Sequence, residues 1–345
     1  MAYTTINKST DYFNTKFYTG NGGTNAITGV GFQPDWVWIK NRSSSQDHQV
    51  YDAIRGVNKK LETNTTTAEA TLGGGLQAFG TDGFTLGDHS ESNDNGDSYV
   101  SWNWKANGAG SSNSDGSITS TVSANTTAGF SVVSYTGTGS GATVGHGLGT
   151  IPKAYFIKNR ASADWICYFE AIGNTKFLQL NLTNAAGTAS AAFNDTSPTS
   201  SVFSVGSDTT SNASSNNYIA YVFAEKKGYS DFGTYTGNGN ADGTFVYTGF
   251  KPAWIMTKRT DNTSSWIMRD NKRDAFNPSQ TSLYANANTA DDTSGGASYY
   301  IDFLSNGFKF TGNGTGFNAS GGTYIYMAFA TAPLVGSNNV PATAR

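Results

Sequence analysis

Gly31-Phe32-Gln33-Pro34-Asp35-Trp36-Val37-Trp38-Ile39-Lys40-Asn41-Arg42 is the stretch from which the chain is best read, because it returns twice. The second copy is Gly149-Thr150-Ile151-Pro152-Lys153-Ala154-Tyr155-Phe156-Ile157-Lys158-Asn159-Arg160, and the third is Gly249-Phe250-Lys251-Pro252-Ala253-Trp254-Ile255-Met256-Thr257-Lys258-Arg259. Each is a Gly-x-x-Pro turn feeding a short aromatic and aliphatic run that reaches a lysine. Pro34, Pro152 and Pro252 stand 118 and 100 residues apart. Solenoid units run to roughly 20 to 50 residues, so this spacing implies tandem domains. Apolar groups fall on both faces of a period-2 strand, which places each copy in the covered centre of a two-sheet sandwich. Lys40, Lys158 and Lys258 are then expected to mark its exit to solvent.

A second motif keeps the same register. Tyr18-Thr19-Gly20, Tyr135-Thr136-Gly137 and Tyr235-Thr236-Gly237 each end a strand at a glycine turn. Each unit closes on an aromatic strand beginning at Tyr99, Tyr218 or Tyr324. Asp82-Gly83 and Asn306-Gly307 signal hairpins in the first and third units, and the second unit lacks that turn. The expected fold is all-β: three tandem antiparallel β-sandwich domains, with jelly-roll and immunoglobulin-like topologies both open. The boundaries are an N-terminal arm at 1–11, repeats at 12–107, 128–227 and 228–333, and a polar tail at 334–345. A linker at 108–127 carries a possible extra strand at 116–122.

Composition agrees. Charged residues are 14% of the 345, against about 25% in ordinary globular proteins, while 7 Trp, 18 Tyr and 21 Phe can fill cores. A net charge of −3 gives no basic footprint, so no nucleic-acid partner is expected. The single cysteine, Cys167, reads as a small buried strand residue. The first ten residues carry no basic-then-apolar pattern, so no signal peptide is expected. No apolar run nears the ~18–20 residues of a membrane span, so no membrane insertion is expected.

Candidate chemistry is sparse. An acid stands eighteen residues past each proline, at Asp52, Glu170 and Asp270. A catalytic carboxylate is needed once per site with a partner, so three copies are read as structural, bonding a nearby loop or the strand-end lysine. His48, His89 and His146 follow no metal or triad spacing and read as surface or loop residues. Asp88, Glu91, Asp94, Asn95, Gly96 and Asp97 form one acidic loop whose oxygens suit Ca²⁺ in kind but not in spacing, and it reads as solvated. No catalytic residue, metal ligand or cofactor is assigned, and the ligand-binding residues stay unknown. Function is sought where the copies differ: 61–76, 175–198, 271–298 and 88–97.

The stretches TGFKPAWIMTKRT (248–260), SYYIDFLSNGFKF (298–310), GGTYIYMAFATAPLV (321–335), VPATAR (340–345), GFQPDWVWIKNR (31–42) and YVSWNWKANG (99–108) resemble a family of virion structural or tail fibre proteins of marine-type bacteriophages. The resemblance spans nearly the whole chain and lies in scaffold motifs. It implies concanavalin-like, lectin-type sandwiches in a non-enzymatic virion appendage made in the host cytoplasm. It also implies contact with a host surface glycan or receptor and with other virion proteins. Closed symmetry, usual in such appendages, implies a homo-oligomer, with a trimer expected. The alternatives are a capsid decoration or tail assembly component without a receptor role, and a tail-associated glycan depolymerase.

Overall fold

The computed structural model describes residues 4–333. It is all-β, built of antiparallel sheets with a few one-turn helices. The four strands that the sequence repeats form one arrangement three times. In the first repeat the order across the sheet is opening strand Phe13–Thr19, closing strand Ser98–Trp104, Pro-led strand Trp36–Asn41, return strand Gln49–Asp52. The second has Phe130–Thr136, Asn217–Phe223, Ala154–Asn159 and Trp165–Phe169 in the same order. The third has Ser230–Thr236, Thr323–Pro333, Phe250–Arg259 and Ile267–Asp270. The Pro-led strand is thus interior in every copy, as its two apolar faces require.

Each sheet is covered on one face by a smaller one. Asn25–Thr28, Gly83–Leu86 and Leu76–Gly80 cover the first, Phe245–Tyr247, Gly307–Phe310 and Ile301–Leu304 the third. The second has only Ala142–Gly145 paired with Val202–Val205, in keeping with its missing hairpin turn. Val37, Ile39, Tyr51 and Tyr99 meet Ile27, Leu76, Phe84 and Leu86 in the first of these sandwich cores.

The opposite face of each large sheet turns inward to a cluster shared by all three repeats. Trp36, Trp38, Trp102 and Trp104 join Phe130, Phe156, Phe169, Tyr221 and Phe223, and Trp254, Met256, Trp266 and Phe329 complete it. Rings meet across every seam: Trp36 on Tyr221 at 4.3 Å, Trp104 on Trp254 at 5.8 Å, Phe169 on Trp266 at 6.0 Å between centroids. The two faces of the Pro-led strand therefore serve two cores, one inside the repeat and one common to the molecule.

Three expectations change. The linker at 108–127 is not a spacer: Ser111–Asn113 and Ser120–Asn125 extend the second repeat's sheet, and Ile118 bridges to Val144. The extra strand thus starts at Ser120, a few residues later than the 116–122 expected. Within the arm, Ile6 is buried in the shared core. The tail at 334–345 lies outside the described residues.

Candidate functional site

Lys40, Lys158 and Lys258 do not exit to solvent; all three are fully buried. Each ammonium is held by backbone carbonyls, and among the described residues no carboxylate is bonded to it. Lys158 Nζ donates to Thr66 O, in the first repeat, at 3.1 Å and also to Ala163 O. Lys258 Nζ donates to Thr183 O, in the second repeat, at 3.2 Å and to Arg259 O at 2.8 Å. Lys40 Nζ donates to Asn41 O at 2.6 Å. Burial brings each of the three down to a pKa of about 8. Lys158 and Lys258 lie where another repeat's loop covers the strand end, which a single strand's periodicity does not reveal.

The residue at or just ahead of the start of each return strand makes a seam contact of the same kind. Trp165 Nε1 donates to Glu62 O at 2.7 Å, and Trp266 Nε1 to Gln179 O at 2.9 Å. His48 occupies the third such position, with Nε2 3.0 Å from Tyr284 O and Nδ1 accepting from Trp38 Nε1 at 2.9 Å. That pattern assigns the proton to Nε2. His48 is thus buried rather than on the surface, and burial holds its pKa well below the ordinary value. His146 is buried as well, with Nδ1 accepting from Leu148 N; only His89 is partly exposed. The direction of these contacts is cyclic: the first repeat reaches the third, the second the first, the third the second.

The repeated acids divide. Asp52 is fully buried, accepts from Arg55 Nε at 2.5 Å, and takes the Tyr221 hydroxyl of the second repeat at 2.8 Å. Asp270 pairs with Arg273 Nε at 2.6 Å, with Trp102 Nε1 of the first repeat at 3.4 Å. Glu170 is exposed and pairs with Lys153 at 2.6 Å. The backbone explains the difference. Trp36 lies opposite Asp52 and Trp254 opposite Asp270, but Ala154 lies opposite Phe169, because the second repeat's hairpin is one residue shorter. Phe169, not Glu170, is the structural counterpart.

The acidic loop does not converge on a cation. Glu91 accepts from Lys60 and Gln49, Asp97 from Asn41 and Ser44, and Asp88 and Asp94 are exposed. The loop contains a one-turn helix, Ser90–Asn93, that all three repeats possess, at Thr209–Asn212 and Thr315–Asn318. Its last residue is a buried asparagine whose amide donates to Gly87 O, Gly206 O or Gly312 O. Six residues on, Tyr99, Tyr218 or Tyr324 accepts from the backbone N–H after the helix. The sequence carries this Asn-x₅-Tyr spacing three times, and sequence reasoning missed it. Asp47, Glu62 and Glu91 lie within 4.8 Å of one another, but Lys60 bridges Glu62 and Glu91 at 2.6 and 2.7 Å and supplies the positive charge.

Much of the segments where the copies differ builds the seams. Arg160 grips Glu69 through two bonds of 2.7 and 2.8 Å, Arg42 pairs with Asp291 at 2.8 Å, and Ala186 N donates to Thr260 O at 2.9 Å. Cys167 is buried, as expected, and burial pushes its thiol well up. At the junction of the second and third repeats a cleft of about 300 Å³ is lined by Glu225, Ser230, Asp231 and the largely exposed Tyr247. Burial raises the pKa of both carboxyls, and Asp231 accepts the Tyr326 hydroxyl at 2.6 Å.

Residues 8–333 match the family model described as Domain of unknown function (DUF7483). No curated protein and no solved structure matches the chain.

Proposed function

The chain belongs to that family, and we propose that it is a non-enzymatic structural protein of a phage virion, a tail fibre or other surface appendage that meets a glycan or receptor on the host. One observation carries the reading. The core-facing aromatics, two of the three buried lysines and the seam donors close the repeats around one core. What results is a scaffold closed on one core, which leaves the outer faces and the loop stretches not engaged at the seams for display. In this reading the repeats are three tandem lectin-like sandwiches. In this reading the chain assembles as a homo-oligomer, a trimer, and with other virion proteins through its outer faces, since the inner faces of the repeats are closed on one core.

The test is adsorption. Purified protein binds host cells and competes with phage for them; absence of both refutes the receptor role and leaves decoration or assembly. The depolymerase reading has one observation in its favour, the Glu225 and Asp231 carboxyls facing one cleft. It requires release of sugar from host envelope glycans, abolished by E225Q; no release removes it.

A further inference from the structure

The three repeats place equivalent residues around one position beside the return strand, which the first fills and the third leaves open. The equivalence is set by a shared asparagine. Asn64, Asn181 and Asn286 accept from the backbone N–H of His48, Trp165 and Trp266 at 2.9, 2.9 and 2.7 Å. The same amides donate to Asp47, Asp164 and Ser265. Strand register pairs Gln49 with Ile39 and Ile267 with Thr257, both five residues past proline. Glu91 and Gly316 are each the second residue of the one-turn helix. Glu62 and Tyr284 supply the carbonyls that the seam donors reach.

In the first repeat, Asp47, Gln49, Glu62 and Glu91 fill this place: Lys60 ties Glu62 to Glu91, Gln49 donates to Glu91, and Asp47 accepts from Asn64. In the third, the four become Ser265, Ile267, Tyr284 and Gly316, and a cavity of about 300 Å³ stands there. Gly316 is the opening residue. A Cβ on it would lie 3.1 Å from the Tyr299 hydroxyl and 3.2 Å from Ile267 Cδ1, between two walls of the cavity. No charged side chain lines it. Tyr284 commits its hydroxyl to Asp292 at 2.5 Å and presents its ring as lining. Thr263, Ser264, Ser265 and Thr315 supply the polar edge.

We propose that this cavity of the third repeat binds a neutral saccharide of one or two rings. An anion would find no cation in the lining, where the nearby Arg259 and Arg269 are engaged with the Thr315 and Tyr299 carbonyls, and a cation no lining carboxylate. A sugar offers what the walls complement: C–H faces for the tyrosine rings and hydroxyls for the threonine and serine edge. The volume is at the lower end of small-ligand sites, about 300 Å³ upward. The proposal gives a place to the glycan contact suggested above and rests on that reading for its biological role only.

The experiment is saturation-transfer NMR on the full chain with glucose, galactose, mannose, N-acetylglucosamine and their neutral disaccharides, with glucuronic acid and glucosamine as charged controls. At least one neutral sugar receives saturation, and the charged analogues receive less. Gly316→Glu and Ser265→Asp, which copy the first repeat, weaken binding at least about tenfold, while Tyr247→Ala in the other cleft leaves it unchanged. Thermal melting shows which variants are folded. Should Gly316→Glu not fold, Ser265→Asp and a sugar-soaked crystal of the unaltered protein, with density between Tyr284 and Tyr299, carry the test. No transfer from any neutral sugar, equal transfer from charged ones, or binding undiminished in the folded variants overturns the assignment. Soluble sugars probe the cavity alone, so that failure is distinct from a failure to adsorb to cells.

Discussion

Replacing Trp36 with alanine should destabilise all three repeats together. Trp36 belongs to the first repeat and is almost fully buried, yet three of its ring neighbours, Phe130, Tyr221 and Phe223, belong to the second. A tryptophan buries about 150–250 Å², and at ~25 cal/mol per Å² that is about 4–6 kcal/mol. Measured large-to-small truncations of this type cost about 3–5 kcal/mol, so about 4 kcal/mol is expected for W36A. Such a loss lowers the protection of globally exchanging amides about 10³-fold. Hydrogen exchange read by mass spectrometry should show that loss in Ala154–Asn159 and in Phe250–Arg259 as well as in Trp36–Asn41, with one urea transition. W36F, costing less, gives the same pattern if W36A does not accumulate. If the first repeat loses protection while the third keeps that of the unaltered protein, the shared core is not an energetic unit and the reasoning fails.

Two further outcomes follow from the buried charges. Arg55→Met strands the Asp52 carboxylate in the interior and should cost about 3–5 kcal/mol, whereas Lys153→Met breaks only an exposed pair with Glu170 and should cost under about 1 kcal/mol; equal losses in urea melts would sink the distinction. The lysines bear on pH. Their folded pKa near 8 lies below the ordinary 10.5, so between those values the unfolded chain binds more protons and stability rises with pH. Buried tyrosines such as Tyr135 and Tyr155 are raised above the ordinary 10, so the unfolded chain loses protons first there and the trend reverses. The melting temperature should climb from pH 8 to about 10 and then fall, and a triple Lys→Met variant should lose the climb; a flat or falling curve across that window would contradict it.

The register, the sandwich character and the interior place of the Pro-led strand were all legible, because they follow from local period and repetition. What sits on the far face of that strand was not. Trp36 and Trp254 read as core, but nothing in a 12-residue copy says that the core belongs to three repeats at once. Lys158 and Lys258 looked like strand exits because the carbonyls that cover them, Thr66 O and Thr183 O, come from another repeat. Glu170 was matched to Asp52 by counting, and a hairpin shortened by one residue moved the true counterpart to Phe169. The Asn93, Asn212 and Asn318 motif was masked by charge: one copy lies in an acidic run and the others in neutral ones. The cavity beside Gly316 was not legible at all, since it exists only by comparison of side chains that three loops bring to equivalent places.

The shortened hairpin is itself an experiment on buried charge. At two seams an acid, an arginine three residues on and a donor from the next repeat meet: Asp52, Arg55 and Tyr221, then Asp270, Arg273 and Trp102. At the third seam the matching positions are Phe169, Ile172 and Met327, all packed in or against the shared core. One scaffold therefore accepts either a satisfied ion pair or an apolar trio, as expected if the desolvation of a buried pair nearly offsets its attraction. It follows that D52F/R55I/Y221M, copying the third seam, should be more stable than R55M alone by at least about 1 kcal/mol. Both variants forfeit the bonds from Arg55 to the Val50 and Lys59 carbonyls, so that loss cancels in the comparison. A triple variant as unstable as the sum of its three single changes, measured in one urea series, would show that the polar trio contributes net stability and that the apolar seam owes its tolerance to something else.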